Sequence, residues 1–131
     1  MEAVRFAFPG PQRDRLVAAV LRGEKTATSS LLAEWLLDDQ ELPVVGDRRE
    51  VLDSDDNPVG VIETTAVDVV RLGDVDLAVA HQEGEGFGSV AEWREAHERF
   101  WTEEVMPRLP ADMAGPLNDD AKVVVVRFRV V

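Results

Sequence analysis

Lys25 is one of only two lysines in a chain that carries twelve arginines, and it sits in the run Gly23-Glu24-Lys25-Thr26-Ala27-Thr28-Ser29-Ser30. Desolvation can strip an ammonium of its proton, whereas a guanidinium keeps its charge. A lysine followed three residues later by the Thr28 hydroxyl is therefore a candidate base or electrophile beside a nucleophile. A second chemistry-bearing run is His81-Gln82-Glu83-Gly84-Glu85-Gly86-Phe87-Gly88. Its carboxylates can pass protons or take an oxygen-loving cation, and Phe87 is the candidate to cover a bound base. There is no cysteine, which excludes a catalytic thiolate, disulfides and a thiolate metal site. His81 and His97 lack the spacing of a helical zinc motif, so no tight metal site is expected. His97 lies on an apolar helix face and reads as a hydrogen-bonded core residue. Trp35, Trp93 and Trp101 likewise read as core.

These runs must be positioned by the elements around them. Arg5 to Phe8 alternates like a short strand or extended arm and meets the turn Pro9-Gly10-Pro11. Gln12 to Arg22 carries Leu16, Val17, Val20 and Leu21 at helical spacing, with Gly23 as its C-cap. Lys25 thus follows a helix end, in a loop or at the start of a strand. Ser29 or Ser30 is expected to cap a second helix with Leu31, Leu32, Trp35 and Leu36. Arg48 to Leu52 and Val59 to Val70 form a hairpin around the turn Asp53 to Pro58. Asp74 is expected to cap a helix over 75–80. Ser89 and Glu92 form a capping box for a helix that Pro107 ends. Val123 to Val130 reads as a central strand. The pattern is α+β, one domain over 1–131, with strands that can close into a small barrel with helices packed outside.

Charge narrows the function. The net charge of −12 disfavours long duplex nucleic acid, which basic faces bind, and favours a small or short single-stranded partner. The N-terminal residues are too few and too acidic for a signal peptide, and no apolar run suits a bilayer, so a cytoplasmic protein is expected. The preference for arginine over lysine matches a GC-rich bacterial genome.

Taken together, several segments resemble the ASCH domain family, whose β-barrel is PUA-like. They are the helix ending in Gly23 with Glu24-Lys25-Thr26-Ala27-Thr28, then Val45-Gly46-Asp47, Val61-Ile62-Glu63-Thr64-Thr65 and Ala80 to Gly86. The helix from Ser89 to His97 and the closing Val-rich strand complete the set, and the resemblance covers nearly the whole chain. Small bacterial members similar to this chain hydrolyse the acetyl amide of N4-acetylcytidine. The resemblance implies Lys25 as proton acceptor, Thr28 as nucleophile and Glu83 as proton donor. It implies no cofactor. A metal-dependent ribonuclease on single-stranded RNA, with Mg or Mn, is the alternative activity, and a non-catalytic reader of RNA or a modified nucleotide is another. The chain differs from the amidohydrolase subgroup in its longer segment between Ser29 and Pro43, and in Ser29-Ser30 directly after Thr28.

Glu63, whose strand alternation lets it line the barrel beside Lys25, joins Ser29, Glu85 and Phe87 as expected substrate-binding residues. Bland roles stand beside these. Lys25 can cap carbonyls at the first helix end, Thr28 can be a plain strand residue, and Glu83 and Glu85 can be solvated loop acids near a helix N-terminus. The residues also leave the proton arrangement open: Glu83 carries the proton, arginines offset its charge, or Lys25 stays cationic and stabilises the oxyanion.

Overall fold

The computed structural model describes all 131 residues. In chain order they form β1 (Ala3–Val4), α1 (Pro11–Leu21), β2 (Ala27–Leu31), α2 (Leu32–Leu37), β3 (Arg48–Leu52), β4 (Pro58–Arg71), α3 (Leu77–Gln82), α4 (Val90–Phe100) and β5 (Lys122–Val130). The architecture is α+β, with one five-stranded sheet in the order β1-β3-β4-β5-β2. The sheet is not closed: β1 and β2 are its two edges, so the expected barrel is an open, curved sheet with helices packed on it.

The β3–β4 hairpin forms around its turn as expected, and β4 also pairs antiparallel along its length with β5. β5 lies between β4 and β2 and is buried on both faces. Val123 and Val125 pack into a core with Trp93, Trp101, Leu72 and Val79. Phe128, of opposite parity, packs with Phe6, Val17, Val20, Val51 and Ile62. The period of two along a strand thus explains why the valine run is continuous rather than alternating.

Four local expectations need correction. The strand at Arg5 to Phe8 is displaced to Ala3–Val4, because Ala7 turns left-handed (φ 56°) and buried Arg13 claims the carbonyls of Phe6 and Ala7. Ser29 and Ser30 do not cap a helix: they extend β2, which pairs with Val125 and Val124 of β5. The α2 start is satisfied instead by the Glu34 carboxylate, which accepts the Leu31 amide at 2.8 Å. Asp76, not Asp74, caps α3, accepting the Val79 amide at 3.1 Å, while Asp74 pairs with Arg71. Ser89 caps α4 as expected, but Glu92 accepts from the amide of Gly88 rather than that of Ser89. Beyond Phe100 the helix widens into a π turn over Trp101–Val105 and tightens into a last 3-10 turn over Met106–Arg108, which carries Pro107 in its first positions and stops at Leu109, two residues past the expected end.

Candidate active site

Two loops meet beside the start of β2. The first begins where α1 stops. Gly23 is left-handed, with φ 79°, and the amides of Glu24 and Lys25 return to the Ala19 carbonyl at 2.9 and 3.1 Å. Lys25 is thereby tucked inward and is only 3% exposed. The second loop leaves the end of α3. The Thr26 amide donates to the Gln82 carbonyl at 2.7 Å, and Arg127 of β5 donates to the Gln82 side chain at 2.8 Å. Gly84 completes the junction. Its φ is 69°, and a Cβ there would fall 2.7 Å from both the Glu24 carbonyl oxygen and the Lys25 Cα. Only a residue without a side chain lets the two loops touch.

Glu83 is held against Lys25 by this junction. Lys25 Nζ donates to the carbonyls of Ala27 at 2.8 Å and Glu83 at 3.2 Å, and lies 5.8 Å from the centroid of the Phe6 ring. Those bonds use two N–H groups. The nitrogen's remaining position, a proton in the ammonium and a lone pair in the amine, is left for the pocket.

The Glu83 carboxylate is 1% exposed, and its Oε2 lies 2.7 Å from His97 Nε2. Its Oε1 is buried with no partner, as is the Oγ of Ser29. Burial pushes the Glu83 carboxyl up, but the hydrogen bond from His97 and the charges of Lys25 and His97 together bring it below its ordinary value. Burial presses His97 down in turn, and its bond and charge interaction with Glu83 reverse that, leaving the imidazole above its ordinary value. Glu85 is exposed as a residue, yet its carboxylate leans inward to within 4.8 Å of the Glu83 and His97 ligand atoms. That lean is why burial, with some help from the Glu83 charge, raises the Glu85 carboxyl.

Glu83, Glu85 and His97 are spaced closely enough to share a cation. His97 Nε2 and Glu83 Oε2 are already bound to each other at 2.7 Å, so a cation here would have to displace that hydrogen bond. His81 is exposed and lies outside the cluster.

Lys25, Thr28, Ser29, Glu83, Glu85 and Phe87 all line one cavity of about 400 Å³. Phe8, Trp35, Phe100 and His97 form its aromatic walls. A cavity of this size, with aromatic walls on one part of its lining and polar and charged side chains on the rest, suits a small polar molecule. Of the expected site residues, Glu63 stands elsewhere. It is paired across both ladders, to Arg48 at 3.3 Å and Arg129 at 2.7 Å, and it does not reach Lys25 or line this cavity. A strand residue flanked by arginines on both neighbouring strands is satisfied where it is.

Two lining residues depart from their core reading. Trp35 is half-buried, donates its indole N–H to Ser30 Oγ at 2.8 Å and faces the cavity, while Trp93 and Trp101 are core at 0% and 1% exposure. The longer segment after Ser29 therefore supplies a wall of the site. His97 is on the buried helix face as expected, but its partner is a pocket carboxylate. The one available signal was a titratable residue set among Trp93, Phe100 and Trp101, which must find a polar partner.

A family model described as ASCH domain matches residues 3–131. The fold is similar to the crystal structure of protein EF3133 from Enterococcus faecalis V583, of family DUF984. That match has a TM-score of 0.84 and 29% identity over 100% of this chain and 76% of that one. It is also similar to an ASCH domain from Lactobacillus crispatus JV V101, with TM-score 0.83 and 29% identity over 98% of this chain and 78% of that one. A hypothetical protein, PH0355, shares the fold at TM-score 0.57 and 17% identity over 93% and 95% of the two chains. No curated protein matches the chain.

Proposed function

The chain belongs to the ASCH domain family, and from that premise we propose that it is a hydrolase cleaving the amide bond of an acylated pyrimidine nucleoside, N4-acetylcytidine or a related small amide. One observation carries the reading: Lys25, Thr28 and Glu83 border the same cavity, two of them almost wholly buried. Surface-capping or solvated-loop roles for Lys25 and Glu83 do not fit exposures of 3% and 1%. The aromatic walls suit a flat base, and Glu83 and Ser29 line the cavity beside Thr28.

In this reading Lys25 first gives up its ammonium proton to solvent, the Thr28 oxygen attacks the acyl carbon, and the hydroxyl proton passes to the Lys25 amine. The carbon–nitrogen bond breaks, and the leaving nitrogen takes a proton from the Glu83–His97 pair. Water then attacks the threonine ester and returns one proton to that pair. The Thr28 oxygen recovers its own from Lys25, and the acid leaves with the water's oxygen and remaining hydrogen. The net reaction is amide plus water to acid plus amine. No helix is long and apolar enough to cross a membrane, and the charge of −12 opposes a long phosphate backbone as substrate.

The test is incubation with acetylcytidine and, separately, unstructured RNA, each with and without EDTA, followed by product analysis. Acetate and cytidine in equal amounts, unaffected by EDTA, are expected. EDTA-sensitive cleavage of the RNA without acetate release would replace this reading with the ribonuclease. Binding of acetylcytidine without turnover would replace it with a reader.

A further inference from the structure

We propose that His97 is the positioning residue for Glu83: by binding one carboxylate oxygen it turns the other toward the substrate, and it stores the proton that the departing nitrogen receives. This rests on the hydrolase reading. The Nδ1 of His97 lies 2.8 Å from the Trp93 carbonyl, which only accepts, so Nδ1 carries a hydrogen. Nε2 lies 2.7 Å from Glu83 Oε2, and that line must hold a second proton. The ring cannot turn to release it. Trp93 stacks on it at 4.3 Å and 22°, and Trp101 meets its edge at 5.4 Å. Phe87 closes the remaining side at 5.9 Å.

A purely structural pair would satisfy both carboxylate oxygens. Here Oε1 is buried without a well-formed hydrogen bond, and the Ser29 hydroxyl and the Glu85 carboxyl are the polar groups that neighbour this carboxylate in the cavity lining. The charged groups facing the ring are few. They are Glu83 at the end of α3 and Glu85 in the following loop, with Lys25 acting through Glu83 from the loop before β2. On α4 itself, Arg94 and Glu98 are bound to each other at 2.8 Å. The proton on Nε2 is thus held by its bond to Glu83, with the Glu85 charge acting in the same direction from farther away, and the imidazolium is needed in the working state.

The experiment compares His97→Leu, His97→Gln and Glu83→Gln with the parent, all checked for folding by circular dichroism. His97→Leu should lower kcat by about 10²-fold with KM within about twofold, the size of a lost proton-transfer partner. His97→Gln can donate from near the Nε2 position but cannot titrate. It should recover part of that loss and lose the alkaline limb of the kcat profile. If Leu does not fold, the Gln profile alone decides. Parental kcat and pH profile in the His97 variants would overturn the inference while leaving the hydrolase standing. A parent that releases no acetate overturns the hydrolase reading, and NMR titration of the His97 imidazole then decides the pair. Its midpoint should fall in Glu83→Gln, and an unmoved midpoint overturns the inference.

Discussion

Glu83 and Glu63 are both carboxylates matched with cations, and both are held below their ordinary carboxyl value. Their surroundings are opposite. For Glu63, the hydrogen bonds from Arg129 and Arg48 are the main cause, and the trio lies across neighbouring strands in contact with water. For Glu83, burial opposes ionisation and one histidine with a nearby lysine overcomes it, while one oxygen stays unmatched. Charge pairing alone is therefore a poor marker of function. The informative state is a carboxylate kept ionised inside the protein with an oxygen left over.

The contrast can be broken most severely at Lys25. Lys25→Ala should reduce acetate release by at least about 10³-fold, because it removes the group that takes the nucleophile's proton. A parental rate in that variant would end the hydrolase proposal. Next comes the direct comparison of carboxylates: Glu83→Gln should lower kcat about 10²–10³-fold, and Glu63→Gln by less than about twofold. Equal losses in steady-state kinetics would erase the distinction. Trp35→Ala should leave kcat near parental and raise KM about tenfold, since stacking on a base contributes about 1–3 kcal/mol.

The smallest effect sharpens the electrostatic difference. The raised His97 adds stability that is full below its ordinary value of 6.5 and fades as pH rises through its folded value. The lowered Glu83 adds stability that is present above its ordinary 4.5 and is lost as pH falls through its folded value. Thermal melts of the parent and Glu83→Gln should therefore differ most between those two values and converge on either side. Arg48→Ala and Arg129→Ala, at exposed pairs, should shift the melting temperature little at any pH. A window that instead tracks the arginine variants would assign the pH dependence to the surface trio.

Much of the fold was readable because its strands are long and rich in β-branched residues. β3, β4 and β5 fall where their patterns predict, and β5 carries two buried faces in a run with no polar break. The edges were harder. β2 reads as a helix cap by residue type, and only the vacant side of β5 makes Ser29 and Ser30 strand residues. Arg5 to Phe8 alternates like a strand, but Arg13, several residues away, draws its carbonyls out of the sheet. In the site, Lys25 and Thr28 lie close in sequence, and the family's pattern joined Glu83 to them. His97 and Trp35 escaped because helical periodicity tells which face is buried and not what lies opposite it. Glu63 misled for the same reason, since alternation cannot distinguish a cavity from a neighbouring arginine.

The contact at Gly84 limits how such a site can change. Main chain rests on main chain there, so the junction behind the cavity's Lys25 and Glu83 has no side chain to trim and no slack to take up. A methyl group at 84 would act as a wedge, separating lysine from carboxylate without touching either. New ligand preferences must then arise at the rim, from Phe8, Trp35 and Phe87, where a side chain can be exchanged while the reacting groups keep their places.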